Sequence, residues 1–148
     1  MVSAPKTNII VDASVVAKWF LADEEDASLA LEIKQDFLQQ KISISAPLFI
    51  FYEVNNLLKS AARSVRIDER AAKEAYEGFL DLNFPVYSSK NLLKATLAVA
   101  LDYNISSYDA SYVALSEYLE VPFFTADKKL LEKVESRFVR DLTDYSLS

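Results

Sequence analysis

The 148-residue chain has 16 Lys and Arg against 22 Asp and Glu, a formal net charge of −6, and 51% hydrophobic residues. This length and composition fit one folded domain over residues 1–148 and exclude general disorder. The chain contains neither Cys nor His, which excludes disulfides, thiolate metal sites and His-based catalysis. Any chemistry must therefore come from carboxylates, hydroxyls, amides and Lys or Arg, and carboxylate oxygens favour hard ions such as Mg²⁺ or Mn²⁺.

The same features bear on location and partners. No apolar run approaches the ~20 residues of a membrane helix, and the N-terminal apolar stretch is too short for a secretory signal. We therefore expect a cytoplasmic protein without a membrane partner. The negative net charge argues against broad electrostatic capture of nucleic acid, but it is compatible with an acidic cleft neutralised by metal.

Short β-type runs alternate with helical runs along the chain, a pattern typical of an α/β domain with a mainly parallel sheet. Strands are predicted at residues 8–11, 42–45, 84–87, 121–125 and 137–139, the second of them ended by Pro47. Helices are predicted at residues 13–21, 25–40, 48–64, 68–82, 90–103, 108–119 and 128–135. The only Gly, Gly78, excludes glycine-rich phosphate loops.

Three acids occupy positions where helices begin. Asp12 closes the first strand, Asp127 follows the fourth, and Asp109 lies in the segment ISSYDASYVALSEYL. Helix capping alone is a sufficient explanation for each, since Asp favours that position. Ser106 and Asp109 have the spacing of a capping box. In open parallel sheets, however, ligands bind at the carboxyl ends of strands, which gives these acids a second possible role.

Glu53 resists the capping explanation. It lies at the edge of the apolar stripe of the helix at 48–64, with Asn56 one turn later, and buried carboxylates are rare unless paired or bound to metal. We expect three acids to follow strands and Glu53 to face them from its helix. Carboxylates 4 Å apart repel by about 4 kcal/mol per pair at an effective dielectric of 20, so such a cluster favours divalent cations. Ser14 and Thr125 are candidates to hydrogen-bond the ligands.

Four segments in order resemble the PIN-domain family, most closely the VapC-type toxin ribonucleases of toxin–antitoxin pairs. They are IIVDASVVAKWF, APLFIFYEVNNLL, ISSYDASYVALSEYL and VPFFTADKKL, and the resemblance covers about residues 8–141. Carried over position by position, the acidic quartet of the family falls on Asp12, Glu53, Asp109 and Asp127. Its supporting polar positions fall on Ser14, Asn56 and Thr125.

The resemblance implies a three-layer α/β/α PIN-like (Rossmann-like) domain with a mainly parallel sheet of about five strands. It also implies Mg²⁺- or Mn²⁺-dependent endoribonuclease activity, a homodimer, and a small antitoxin that blocks the site. Hydrolysis would use a metal-activated water. Asp12 and Asp109 are our first choices as direct ligands, Glu53 is a ligand or an orienter of the attacking water, and Asp127 is a ligand reached directly or through water.

Basic residues offer candidate RNA contacts. Lys59, Arg63, Arg66 and Arg70 recur at spacings that align them along one helix side or its extension, and Lys18 lies on the first predicted helix. Contacts with phosphates are one interpretation, and a solvated basic face is the other.

Helix 48–64 also carries a run of apolar side chains that cannot all face one core. The run is Phe49, Ile50, Phe51 and Tyr52. With Trp19 and Phe20 it predicts an exposed apolar patch for dimerisation or antitoxin binding. A helix buried on two sides is the alternative.

Two other functional classes compete with a ribonuclease. A phosphoacceptor signalling domain requires an acidic pair after the first strand, but Asp12 has no acidic neighbour before Asp23. The remaining alternative is a non-catalytic PIN scaffold that binds RNA or protein.

Overall fold

The computed structural model describes residues 6–147, and their strands form one five-stranded sheet. The strands are β1 (Thr7–Val11), β2 (Ile42–Pro47), β3 (Val86–Tyr87), β4 (Phe123–Thr125) and β5 (Val139–Asp141). The helices are α1 (Ala13–Phe20), α2 (Ala27–Leu38), α3 (Ile50–Arg63), α4 (Glu69–Leu80), α5 (Lys90–Tyr103), α6 (Ser107–Leu119) and α7 (Lys128–Lys133). A short 3₁₀ turn, Leu142–Asp144, follows β5.

The strand order is β3-β2-β1-β4-β5, and every neighbouring pair is parallel. The chain builds outward from β1 through β2 to β3, and then crosses to the other side of β1 for β4 and β5. The order therefore reverses between β1 and β4, and the carboxyl ends of strands at such a switch point form the usual ligand crevice of open α/β sheets. The predicted α/β class with a mainly parallel sheet of five strands is confirmed.

The central strands are apolar on both faces because helices cover both sides of a parallel sheet. Ile9, Ile10 and Val11 of β1 and Phe123 of β4 are all buried in the core. Helices α1 and α6 both pack against β1 and β4. Helix α1 follows β1 directly and therefore begins next to the switch point.

Some predicted boundaries were wrong. Pro47 is the last residue of β2, not a residue that stops the strand before it. The N–H groups of Ala46 and Leu48 donate to the β3 side, while the β1 ladder on the other side ends at Ser45. Pro47 lacks an N–H where the ladder needs none.

The last strand and two other elements also differ in extent. Strand β5 begins at Val139, two residues later than predicted, β3 is restricted to Val86–Tyr87, and α2 is shorter at both ends. Among residues 6–147 no helix is both long and apolar enough to cross a bilayer.

Candidate active site

Asp12 joins the ends of the two strands at the switch point. Its Oδ1 accepts hydrogen bonds from Ser14 N (3.1 Å) and Ser14 Oγ (2.5 Å), and its Oδ2 accepts one from Thr125 Oγ1 (2.6 Å). The residue is 6% exposed. Asp12 therefore caps α1, as its position suggested, while also binding a residue of β4 that is 113 positions away.

Ser14 and Thr125 extend this network to the start of α7. Ser14 Oγ accepts from the N–H of Ala126 at 3.1 Å, and Thr125 Oγ1 accepts from the N–H of Asp127 at 3.0 Å. Each hydroxyl thus donates to Asp12 and accepts from the backbone that follows β4. The two hydroxyls that donate hydrogen bonds to Asp12 are thus held in place by the backbone. They restrict the Asp12 carboxylate to one orientation.

Asp127 and Asp109 are half-buried and lie in the first turns of two helices. Asp127 caps α7, its Oδ1 accepting from Lys129 N (3.0 Å) and Leu130 N (3.1 Å). Asp109 lies in α6, and its N–H donates to Ser106 Oγ at 3.1 Å. The expectation that three acids follow strands was wrong, because α6 follows helix α5 and brings Asp109 to the site from a helix pair.

Glu53 lies in the first turn of α3, on a helix whose Ile50 and Val54 are buried. Its Oε1 accepts a hydrogen bond of 2.6 Å from the hydroxyl of Tyr112 on α6. Tyr112 is 1% exposed, and its ring stacks on Phe123 of β4 at a centroid distance of 5.5 Å. Tyr112 was missed in the sequence, although it lies three residues after Asp109 and hence on the same face of the helix.

The carboxylates influence one another. Burial raises the pKa of Asp12 to about 6, with a further rise from the charge of Asp109, against the opposing hydrogen bonds from Ser14 and Thr125. Burial also raises the pKa of Glu53 to about 7, reinforced by the charges of Asp12 and Asp109 and opposed by the Tyr112 hydrogen bond. The pKa of Asp109 is raised by burial and by the charge of Asp127. All four acids therefore belong to one electrostatic cluster.

The fit of this cluster to a cation depends on how many protein oxygens the ion requires. Within residues 6–147 no three acidic side chains are gathered into a preformed ligand set, so the acids lie within electrostatic range without forming a closed cage. Mg²⁺ commonly binds through one or two carboxylates, keeps several waters, and completes its octahedron with substrate phosphate. An all-oxygen cluster with raised pKa values fits such a hydrated ion and does not fit a closed zinc site.

A pocket of about 470 Å³ opens beside the cluster. Asp109 and Asp127 line it together with Lys129 and Lys133, and the Nζ of Lys133 donates to Asn104 O at 3.3 Å. The two lysines were missed in the sequence, although their spacing of four places them on one side of α7. The pocket therefore brings two positive charges near two of the acids, together with the further negative charge of Glu132.

The predicted RNA-contact residues lie elsewhere. Lys59 and Arg63 line a second groove of about 470 Å³, between α3 and α4, to which none of the four acids contributes. Arg66 and Arg70 lie beyond the end of α3, so the basic residues do not share one helix. Three of them meet carboxylates, in the pairs Arg63–Glu69 (3.7 Å), Arg66–Asp23 (2.9 Å) and Arg70–Glu74 (3.0 Å).

Two further predicted positions differ in accessibility. Lys18 is only 8% exposed, which leaves it little surface for contact with RNA. Asn56 is exposed on α3, one turn along from Glu53.

The expected apolar patch is present only in part. Trp19 is 6% exposed, and its Nε1 donates to Ala30 O at 2.8 Å, so it belongs to the core. Tyr52 is 70% exposed. Phe49 stacks on Tyr108 at a centroid distance of 4.4 Å, and Tyr108 is itself exposed. An exposed aromatic surface therefore joins α3 to the start of α6, without Trp19.

Comparison with known proteins places this architecture in a family. The model of the PIN domain family matches residues 9–136, a span that contains all four acids. Ribonuclease VapC3 of Pyrobaculum aerophilum is 32% identical in an alignment of 129 residues that covers 84% of this chain and 93% of that protein. Ribonuclease VapC1 of Mycobacterium tuberculosis is 35% identical over 124 residues, covering 82% of this chain and 86% of the relative.

A solved structure agrees with these sequence matches. The crystal structure of PAE2754 from Pyrobaculum aerophilum superposes with a TM-score of 0.69 at 27% identity, covering 94% of this chain and 93% of that one. The family match over residues 9–136, the five-stranded parallel sheet and this superposition agree, and the chain belongs to the PIN domain family.

Proposed function

We propose that this chain is a Mg²⁺- or Mn²⁺-dependent endoribonuclease, the toxin of a type II toxin–antitoxin pair, built as a single PIN domain and working in the cytoplasm. RNA as the substrate is supported by the relatives, which are named as ribonucleases. The observation that carries the chemistry is the coupling of Asp12, Glu53 and Asp109 across three separate elements at the switch point of the sheet. Such coupling raises the energy of the charged site, and a bound divalent cation would relieve it.

The four acids divide the work of binding and orientation. Asp12 and Asp109 would hold the ion directly, and Asp127 would reach it directly or through water. Glu53 would be a further ligand or would orient the attacking water with Oε2, the oxygen to which none of residues 6–147 donates a hydrogen bond. When bound, Mg²⁺ or Mn²⁺ supplies an activated water and neutralises charge that develops on the phosphate.

RNA reaches an acidic protein through local positive charge. Lys129 and Lys133 lie in the same pocket as Asp109 and Asp127, so a phosphate next to the one being cleaved would contact them. Lys59, Arg63 and Arg66 would contact more distant phosphates, if RNA follows α3. Lys18 is not included because it is buried.

We propose two protein partners, a second copy of this chain and a small antitoxin. A second copy would cover the exposed apolar stripe of α5, made of Leu93, Leu97 and Leu101 at a spacing of four. An antitoxin would insert Arg or Lys among the acids when no ion is bound, because charge-assisted hydrogen bonds satisfy carboxylates in a desolvated site. Light scattering on the purified chain tests the dimer. Leu97→Glu should shift it to the monomer, whereas Leu38→Glu, an exposed leucine on α2, should not.

Cleavage of single-stranded RNA tests the activity. The chain should cleave with Mg²⁺ or Mn²⁺ and stop on addition of EDTA, and Asp12→Asn and Asp109→Asn proteins that remain folded should be inactive. A chain that binds neither ion and cleaves none of several RNAs would instead be a non-catalytic scaffold that binds RNA or protein.

A further inference from the structure

Tyr112 restrains Glu53, an acid that lies in the first turn of α3 and caps no helix. Its hydroxyl donates to Glu53 Oε1 at 2.6 Å from a residue 59 positions away. Glu53 has no backbone cap of the kind that restrains Asp12 and Asp127. Since a Glu side chain has one more rotatable bond than Asp, its carboxylate needs an external partner to keep one orientation.

The ring that carries this hydroxyl is itself fixed. Tyr112 is 1% exposed and stacks on Phe123, which belongs to strand β4 next to the switch point. The sheet therefore positions the ring, and the ring positions the hydroxyl. A partner with such rigid support orients its acceptor more effectively than a mobile surface side chain.

The location of Tyr112 on α6 links it to a second acid. Asp109 precedes it by three residues on the same helix, and its charge acts on Glu53. One face of α6 thus supplies a carboxylate to the cluster and, one turn later, a hydroxyl that restrains another carboxylate. Any shift of α6 would move both groups together relative to α3.

We propose that Tyr112 is a positioning residue for the metal site, holding Oε1 of Glu53 so that Oε2 is presented to the cation or to its bound water. This inference rests on the proposed function, because it assigns to Tyr112 a part in the same carboxylate site. Tyr112 itself touches neither ion nor substrate. Its contribution passes through the orientation of Glu53 alone.

A matched control exists within the same chain. Tyr145 is also buried, and its hydroxyl donates to the carboxylate of buried Asp36 at 2.7 Å. Its ring also packs against a phenylalanine of β4, Phe124. Tyr112→Phe and Tyr145→Phe therefore remove the same group from the same kind of contact, and only the first contact lies in the acid cluster.

The experiment measures Mn²⁺ affinity by titration calorimetry and thermal unfolding in EDTA for both variants. Both should lower Tm. Tyr112→Phe should weaken Mn²⁺ binding by about tenfold, within the range found for outer partners of metal ligands, whereas Tyr145→Phe should leave it unchanged. In a Glu53→Ala background, Tyr112→Phe should have no further effect on Mn²⁺ affinity, since the group through which it acts is gone.

RNA cleavage adds a second readout. Tyr112→Phe should lower kcat with little change in KM, because RNA contacts are intact while the site is less ordered. An unchanged Mn²⁺ affinity for Tyr112→Phe, an equal loss for Tyr145→Phe, or a loss that persists in Glu53→Ala would each overturn the proposal. If the unaltered chain binds Mn²⁺ and cleaves RNA in those cases, the proposed function survives and only the role of Tyr112 is lost. If the unaltered chain neither binds Mn²⁺ nor cleaves RNA, the proposed function and the role of Tyr112 are both contradicted.

The unaltered protein provides a test that needs no folded Tyr112→Phe variant. A buried phenolic proton in a short hydrogen bond exchanges slowly and can be followed by NMR. The Tyr112 hydroxyl resonance should shift as Mg²⁺ is added, while the Tyr145 resonance, identified by its absence in Tyr145→Phe, should not. If the chemical shift of the Tyr112 hydroxyl proton does not change at saturating Mg²⁺, the proposal is overturned.

Discussion

The quartet consists of two pairs that are restrained in different ways. The held pair, Asp12 and Glu53, receives hydrogen bonds from side-chain hydroxyls on other elements, with Thr125 on β4 and Tyr112 on α6 as the long-range donors. The pocket pair, Asp109 and Asp127, lines the pocket beside the lysines of α7. Burial raises the pKa of both members of the held pair to about 6 and about 7. A site built this way holds one pair of carboxylates through hydroxyls of other elements, and opens the other pair to water and phosphate in the pocket.

The largest difference should appear in turnover. Asp12→Asn should lower metal-dependent RNA cleavage by at least about 100-fold, because loss of a ligand costs no less than the roughly 10–100-fold found for outer partners. Asp127→Asn should lower it by about tenfold, since a ligand that acts through water is more easily replaced. Initial rates at saturating Mn²⁺ measure both. Equal losses would show that the held and pocket pairs contribute alike.

The second difference concerns how the free energy of unfolding depends on pH. The pKa of Asp12 rises from 3.8 to about 6 on folding, so protonation favours the folded state. The stabilising contribution is complete below pH 3.8 and is lost as the pH rises through about 6. Asp12→Asn should therefore gain stability relative to the unaltered chain as the pH rises from 4 to 7.5, up to about 3 kcal/mol.

Urea unfolding in EDTA across this pH range measures that gain. Glu53→Gln should show the same direction of change, with the rise spread between pH 4.5 and about 7. Saturating Mg²⁺ should remove the advantage of either variant, because the ion stabilises only the folded chain that retains the carboxylates. If the difference in unfolding free energy between either variant and the unaltered chain did not depend on pH, the assigned rise in the pKa of Asp12 and Glu53 would be contradicted.

RNA affinity should separate the pocket from the groove between α3 and α4. Lys129→Ala with Lys133→Ala should raise KM by about tenfold and reduce the salt dependence of binding by a slope of roughly 1.4, at about 0.7 per phosphate contact on single strands. The matched pair is Lys59→Ala with Arg63→Ala, which lie in the other groove and should have the smaller effect. A larger effect from Lys59 and Arg63 would place the path of the RNA along α3.

The smallest expected effect tests the capping role of Asp127. Asp127→Ala removes two bonds to the first turn of α7 and should cost about 1 kcal/mol of unfolding free energy. Asp68→Ala is the control, because Asp68 caps α4 through a 2.7 Å bond from Ala71 N away from the acids. Both should lose similar stability in chemical unfolding, and only Asp127→Ala should also lose cleavage. Unchanged cleavage in Asp127→Ala would leave capping as its whole role.

Much of the fold was predictable because its signals are local. The apolar run of β1, the caps at Asp12, Asp68 and Asp127, and the helical periodicity of α3 each depend on a few neighbouring residues. Errors arose where a distant partner decides the outcome. Pro47 can extend β2 because the β1 ladder has already ended. Trp19 can be buried because Ala30 on another helix accepts a hydrogen bond from its indole N–H.

The acid site divides in the same way. The sequence by itself determined which four carboxylates are available, that neither His nor Cys competes with them, and that two of them follow strands. Only the tertiary structure decided that Tyr112 restrains Glu53, and that Lys129 and Lys133 share a pocket with the pocket pair. The reason is physical, since residue type and local pattern are properties of neighbours along the chain. Hydrogen bonds such as those joining residues 59 and 113 positions apart exist only once the strands and helices have packed.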